Sequence, residues 1–118
     1  MTTEEIIKGN KLITEFMEIR FNENGTVCHH PTILPFHMGE DTILDCKFNS
    51  SWEWLMPVMD KIESLGYHFA IGDIWNAYGS EVLSYSDNYK SRYFEANSKL
   101  EAVWLTSINF IEWYNSQK

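Results

Sequence analysis

The stretch Asn49–Gly66, NSSWEWLMPVMDKIESLG, constrains the fold most strongly, because it combines helix start and stop signals with dense apolar content. The Asn-Ser-Ser run at its start is suited to cap a first helical turn, and Gly66 is suited to the left-handed geometry that ends a helix. This pattern predicts a central helix with a wide apolar arc that more than one neighbouring element covers. At ~100° per residue, the arc has Trp52, Leu55, Met59 and Ile62 at its centre and Trp54, Met56, Val58 and Leu65 at its margins.

A first helix is predicted over Thr3–Ile19, with Thr2 or Thr3 as its cap. Gly9 lies within the apolar stripe of this helix, where a glycine costs ~1 kcal/mol of helix propensity. We therefore expect the helix to pack closely against another element. The apolar positions of the stripe are Ile6, Leu12, Ile13, Phe16, Met17 and Ile19.

A last helix is predicted to begin at the capping box Ser98-Lys99-Leu100-Glu101 and to run to about Asn115. Its core face groups Leu100, Val103, Trp104, Ile108, Phe110, Ile111 and Tyr114 around Ser107. Glu101, Thr106, Asn109 and Glu112 are expected to face water, while Leu105 and Trp113 fall outside the main stripe.

Three strands are predicted between the second and the last helix, namely Tyr67–Gly72, Glu81–Tyr85 and Arg92–Ala96. The links between them are short and have the composition of hairpin turns, so an antiparallel meander is expected.

The region Phe21–Lys47 lacks a regular period and is broken by prolines and glycines. Within it, Thr26–His29 and Ile33–Phe36 are predicted as a small hairpin or as irregular edge strands. A further strand, Thr42–Phe48, is expected to lead into the central helix and to lie along one edge of the meander.

These elements predict one domain over residues 1–118, with an irregular insertion at about residues 21–48. The fold class is α+β: a small antiparallel sheet of three or four main strands packed by three helices, in the order α-(β)-α-β-β-β-α. Such an arrangement forms a sandwich of two or three layers.

The charge of the chain disfavours a nucleic-acid partner, since 17 acidic residues against 9 lysines and arginines leave a net charge of −8. The acids are scattered, which is typical of a solvated surface. The start MTTEEIIKGNK lacks a basic segment leading into an apolar run, and no stretch approaches the ~18 apolar residues of a membrane span. We therefore expect a protein of the cytoplasm without a membrane partner. In that reducing compartment Cys28 and Cys46 are expected to stay thiols.

One constellation has the residue types of a metal site: Cys28, His29, His30 and His37, with Asp41, Asp45 and Cys46 nearby in sequence. Zinc sites space their ligands so that a turn or helix aims two of them at one ion, and these residues do not match such spacings. Neighbouring His29 and His30 would point apart on a strand. We therefore predict no metal and no cofactor, with these residues as weak candidates.

The motifs of common enzyme families are absent from the sequence, including the Gly-x-Ser-x-Gly elbow, the P-loop, the His-Glu-x-x-His helix and the dinucleotide fingerprint. The remaining set that would supply an acid and a base consists of His29, His30, His37 and Asp41. A histidine-dependent or metal-dependent enzyme is accordingly a third-ranked interpretation.

Three segments carry a resemblance to a known group: EEIIKGNKLITEFM, SSWEWLMPVMDKIESLG and KLEAVWLTSINFIEWYN. They resemble stretches of small proteins common in bacteriophages and in prophage regions of Bacteroidetes, and the order of elements is distantly similar to the phage ABA sandwich domain. The resemblance implies a three-layer α/β/α module and an intracellular accessory role, without an assigned catalytic residue. Phe21–Phe48 matches this pattern least.

The first-ranked function is a non-catalytic binding module for a host protein or for a second copy of the chain. The supporting feature is a surplus of aromatic residues in predicted loops and on the outer helix face, namely Trp75, Tyr78, Tyr85, Tyr89, Tyr93 and Trp113. The alternative that each ring completes the core stays open.

The second-ranked function is a sequestering protein for a small nucleotide or immune signal, which would counter host defence. The same rings would stack on a base, and Lys90, Arg92 and Lys99 would hold phosphates. Solvated ends of strands and helices are also typical places for these three cations.

Overall fold

A computed structural model describes residues 2–30, 34–74, 77–84 and 93–117, with only the backbone of residues 73–74, 77–78 and 83–84. These residues contain three α-helices and two small antiparallel sheets, which confirms the α+β class. They form two compact units, Met1–Pro57 and Val58–Lys118, and the division falls inside the central helix. The single domain over 1–118 stays a prediction.

The first unit opens with helix α1, Thr3–Phe16, which confirms the predicted helix apart from its last three residues. The Thr2 side chain caps it by accepting a hydrogen bond from the Glu5 N–H. Gly9 is buried, as expected for a glycine at a closely packed helix position.

Two short strands follow, β1 (Arg20–Phe21) and β2 (Val27–His29), which pair antiparallel. The predicted strand Thr26–His29 is thus confirmed over its last three residues, but its partner is β1. The second predicted strand of this pair, Ile33–Phe36, is wrong in its described part, because residues 34–36 do not form a strand. Residue 33 lies outside the described ranges.

The predicted strand Thr42–Phe48 is also wrong, since residues Ile43–Asp45 form a short 3-10 helix. The cause is a capping box: the Thr42 side chain accepts from the Leu44 N–H, and the Asp45 carboxylate accepts from the Thr42 N–H at 2.8 Å. These local bonds give the backbone an alternative to pairing in a sheet.

Helix α2, Trp52–Ser64, confirms the central helix. The Ser51 carbonyl accepts hydrogen bonds from the Trp54 and Leu55 N–H groups at its start, and Gly66 has φ +99° just after its end. The predicted buried face is wrong in one respect. Trp52, expected at its centre, is 39% exposed, whereas Trp54 is only 5% exposed.

The second unit contains the predicted meander: β3 (Tyr67–Ile74), β4 (Ala77–Ser84) and β5 (Phe94–Ala96) are antiparallel in the order β3-β4-β5. In its register Phe69 lies opposite Val82. The strand expected from Arg92 begins at Phe94 in the described part, and Arg92 itself lies outside it.

Helix α3, Lys99–Ser116, packs on this sheet. The Ser98 side chain accepts from the Glu101 N–H at 3.1 Å, which confirms the predicted cap. Thr106 was expected to face water and is fully buried instead. Its hydroxyl lies 2.8 Å from the Ala102 carbonyl and 3.1 Å from that of Ser80, so hydrogen bonds replace the water that the residue loses.

Candidate binding cavity in the first unit

A cavity of about 360 Å³ opens on the first unit. Its walls come from the irregular region before α2 and from the first turn of α2. The lining residues are Pro35, His37, Asp41, Asp45, Lys47, Glu53 and Trp54.

The apolar wall of the cavity is Trp54, which a small aromatic cluster holds in place. The Trp54 ring meets Phe36 edge-on at a centroid distance of 4.6 Å and Phe48 edge-on at 5.4 Å. Phe48 is fully buried and Phe36 nearly so. Perpendicular ring contacts of this kind are the favoured geometry for aromatic pairs, so this wall is formed before any ligand binds.

Asp41 is positioned by its own turn. Its carboxylate accepts a hydrogen bond from the His37 N–H at 2.7 Å and lies 3.4 Å from His37 Nδ1. The turn is joined to β2, because the Val27 N–H donates to the Asp41 carbonyl and the Gly39 N–H donates to the Val27 carbonyl. The carboxylate therefore has a fixed place, while the His37 side chain is largely exposed.

Asp45 is held by the capping box, which uses one of its carboxylate oxygens. The charge of Asp45 also affects the neighbouring thiol of Cys46. Burial, followed by the negative charges of Asp45 and Asp41, raises the pKa of Cys46 to about 12. Asp45 and Asp41 therefore bring two negative charges to this side of the cavity.

Lys47 and Glu53 complete the charged lining. Among the described residues, neither side chain makes a hydrogen bond or an ion pair. Three carboxylates thus face one lysine around the cavity. Because neither side chain makes such a bond within the described part of the unit, the charges of Lys47 and Glu53 are available to a ligand.

Exposed apolar side chains adjoin this lining. Met56 is 47% exposed and Trp52 is 39% exposed, and their i, i+4 spacing on α2 makes them neighbours. Met56 also follows Glu53 by three residues, so it lies beside that carboxylate. Leu44, next to Asp45 in the chain, is 72% exposed.

The four metal candidates are not brought together. Cys28 is exposed and its Sγ donates to the Arg20 carbonyl, His29 is exposed on β2, and the His30 ring contacts Phe36 at 5.3 Å. Of the four, His37 alone lines the cavity. No three His, Cys, Asp or Glu side chains within the described ranges are grouped so as to hold a metal ion.

The aromatic candidates lie in the second unit or beyond the described residues. Tyr93 lies over Gly79, where a Cβ would overlap its ring, and Trp113 packs on Tyr67 at 6.0 Å and on Phe110 at 5.8 Å. Both therefore have structural contacts. Trp75, Tyr85, Tyr89, Lys90 and Arg92 lie outside the described residues, and only the backbone of Tyr78 is described.

No protein-family model matches this chain, and neither a curated protein nor a solved structure matches it significantly. The chemistry of the cavity must therefore be derived from its own residues. None of the α-helices in the described ranges has both the length and the apolarity that crossing a membrane requires.

Sequence reasoning missed Pro35, Lys47, Glu53 and Trp54 as cavity residues. All four belong to segments read for secondary structure, since Pro35 and Lys47 were placed in strands and Glu53 and Trp54 in a helix. One usable signal is present: the sequence WEW puts a carboxylate between two large rings, and side chains two residues apart on a helix point to nearly opposite sides.

Proposed function

We propose that this chain is a non-catalytic binding module that holds a protein partner on the first unit. The observation that carries the proposal is the exposed pair Trp52 and Met56 on α2, of which Met56 lies one helical turn from the cavity residue Glu53. Covering the exposed 39% of a Trp side chain removes ~100 Å² from water, which is worth about 2.5 kcal/mol. A tryptophan at the centre of a contact is also the residue type most often found to dominate binding energy.

A non-catalytic role is supported by the state of the reactive groups near the cavity. The Cys46 thiol is buried and its pKa is about 12, so it is protonated at neutral pH and is a poor nucleophile. The contact between His37 and Asp41 is within one turn, and the Asp41 oxygen that faces the imidazole also accepts the His37 N–H. This arrangement closes a turn, and the described residues that line the cavity include no activated nucleophile.

The nucleotide-sequestering alternative receives less support from this cavity. A phosphate would meet three carboxylates and one lysine, and burial against like charges is unfavourable. Of the three cations on which that alternative rests, Lys90 and Arg92 lie outside the described residues, and Lys99 lies at the start of α3 in the second unit. It is tested separately by thermal melting with a panel of nucleotides, which raises the melting temperature if a nucleotide binds.

The proposed setting follows the resemblance: an accessory protein of a phage or prophage that acts in the bacterial cytoplasm on a host protein. A second copy of the chain is a less favourable partner, because the two copies would each bring a net charge of −8 to the contact.

Affinity capture with matched variants tests the proposal. Immobilised wild-type chain and the double variant Trp52→Ser, Met56→Ser are exposed to host lysate, and the control is Ile71→Ser. Ile71 is 40% exposed, like Trp52, but lies on β3 in the second unit. We expect a protein that the wild type and the control retain and the double variant loses. Equal retention by all three chains, or retention of nothing, would contradict a binding role for this face.

A further inference from the structure

We infer that the partner presents a lysine or arginine side chain to the cavity and an apolar side chain to Trp52 and Met56, so that the recognised element is a short basic and apolar peptide segment. This inference rests on the proposed function and adds the chemistry of the partner. It is carried by the charge of the cavity lining and by its position next to the exposed pair.

Charge complementarity selects the basic side chain. Asp41, Asp45 and Glu53 face the cavity with Lys47 as the opposing charge. Two of the three carboxylates are held in place by hydrogen bonds to the backbone, so their negative charge is preorganised. The raised pKa of Cys46 has Asp45 and Asp41 among its causes, which agrees with a negative potential at this side of the unit.

The size and the lining of the cavity admit a lysine or arginine side chain. Its volume of about 360 Å³ lies near the lower end of known ligand sites, which begin at ~300 Å³. Pro35 and Trp54 supply apolar surface for the methylene stem of a lysine or arginine, while the carboxylates receive its charged end.

The position of the apolar pair requires the two side chains to lie close together in the partner. Met56 lies three residues after Glu53 on α2, and such neighbours have Cβ atoms ~5–6 Å apart. An extended chain rises ~3.3 Å per residue. A basic residue and an apolar residue one to three positions apart therefore reach the cavity and the exposed pair together.

Selection from a library of random dodecapeptides tests the inference. The full chain is immobilised, and peptides that also bind the double variant Trp52→Ser, Met56→Ser are removed. We expect the remaining peptides to carry lysine or arginine within three positions of an aromatic or aliphatic residue. Enrichment of acidic or uncharged peptides, or no enrichment over the double variant, would overturn the inference.

Reversing the charge of Glu53 or of Lys47 tests the charge selectivity directly, since neither of these two side chains makes a hydrogen bond within the described part of the chain. For the best selected peptide, Glu53→Lys is expected to weaken binding about fivefold and Lys47→Glu to strengthen it by a similar factor, as for exposed charge pairs. Fluorescence anisotropy of the labelled peptide measures both constants. Unchanged affinities, or changes of the same sign, would exclude the cavity as the charge-selective site.

The two proposals fail in different ways. If lysate capture depends on Trp52 and Met56 but the captured protein binds Glu53→Lys and Lys47→Glu equally well, the binding role stands and the basic segment is refuted. If a second copy is the occupant, analytical ultracentrifugation of the wild type shows a dimer that the double variant loses, and the inference is refuted as well.

Discussion

Removal of the Asn10 side-chain amide should destabilise the first unit more than any other single polar change on α1. Asn10 is 3% exposed. Its Nδ2 donates to the Cys46 carbonyl at 3.3 Å and to Asn49 Oδ1 at 3.0 Å, so it joins α1 to the segment that leads into α2. In Asn10→Ala both acceptors lose this donor.

The magnitude follows from the burial of those acceptors. A buried acceptor without its partner costs ~1–3 kcal/mol, and the half-buried Asn49 amide is able to regain water in part. We expect Asn10→Ala to lower the unfolding free energy by about 2–3 kcal/mol, a large share of the ~6–18 kcal/mol typical of a chain of this size. The melting temperature should fall by about 10 °C.

Urea unfolding followed by far-ultraviolet circular dichroism measures this effect, with Lys11→Ala as the control. Lys11 is the next residue on α1 and is exposed, so its replacement should change the free energy by no more than ~0.5 kcal/mol. A loss below ~1 kcal/mol in Asn10→Ala, with an unchanged dependence on urea, would refute the assigned role of the amide.

Three further predictions concern single groups. Ser80→Ala should leave the unfolding free energy unchanged or raise it by ~1 kcal/mol, because the buried Ser80 hydroxyl has no hydrogen-bond partner among the described residues. Thr106→Val should lower it by ~1–2 kcal/mol in the same urea assay, because the hydrogen bond of the Thr106 hydroxyl is lost. Ser98→Ala should cost ~1 kcal/mol through the lost helix cap, as thermal melting would show. Cys28 should react with a thiol reagent at pH 8, while Cys46 should react only in denaturant, and equal labelling of both native thiols would contradict this. The folded pKa of Cys46 is about 12 against an ordinary 9.0. The contribution of the Cys46 thiol to stability should therefore be complete below pH 9 and decline above it.

The sequence predicted best those elements whose signals lie within a few residues. Thr2 and Ser98 cap α1 and α3 where expected, and Gly66 adopts the left-handed geometry that follows α2. Each signal depends on bonds or dihedral angles close by in the chain, so no knowledge of the tertiary structure is required. The meander could be predicted from the sequence for a similar reason, because short links restrict neighbouring strands to antiparallel pairing.

Features that depend on a specific side-chain hydrogen bond were predicted poorly. Thr42–Phe48 has alternation typical of a strand, but the contact between Thr42 and Asp45 stabilises a 3-10 turn instead. Thr106 follows the polar face of α3 by its residue type, yet its hydroxyl bonds to backbone carbonyls inside the second unit. In both cases a side chain forms a hydrogen bond that periodicity does not report.

The cavity was not predicted because its charged residues are spread over the region 35–53, where no period relates them. His37 and Asp41 were considered for acid and base chemistry, and the structure places them together in a turn. Their meeting with Glu53 depends on how that turn packs against the start of α2. The turn that joins His37 to Asp41 follows from their proximity in sequence. Only the fold shows that these two residues and Glu53 line the same cavity.

The two tryptophans at the start of α2 show how the binding surface arises from the same geometry. Residues two apart on a helix differ by ~200°, so Trp52 and Trp54 need cover on opposite sides. Phe36 and Phe48 bury Trp54, and their rings come from the irregular region. Once Trp54 occupies that cluster, helical geometry directs Trp52 away from it, next to Met56. The exposed pair is therefore a direct consequence of the contact that buries Trp54, and the proposed partner would cover Trp52 on the side of the helix away from the aromatic cluster.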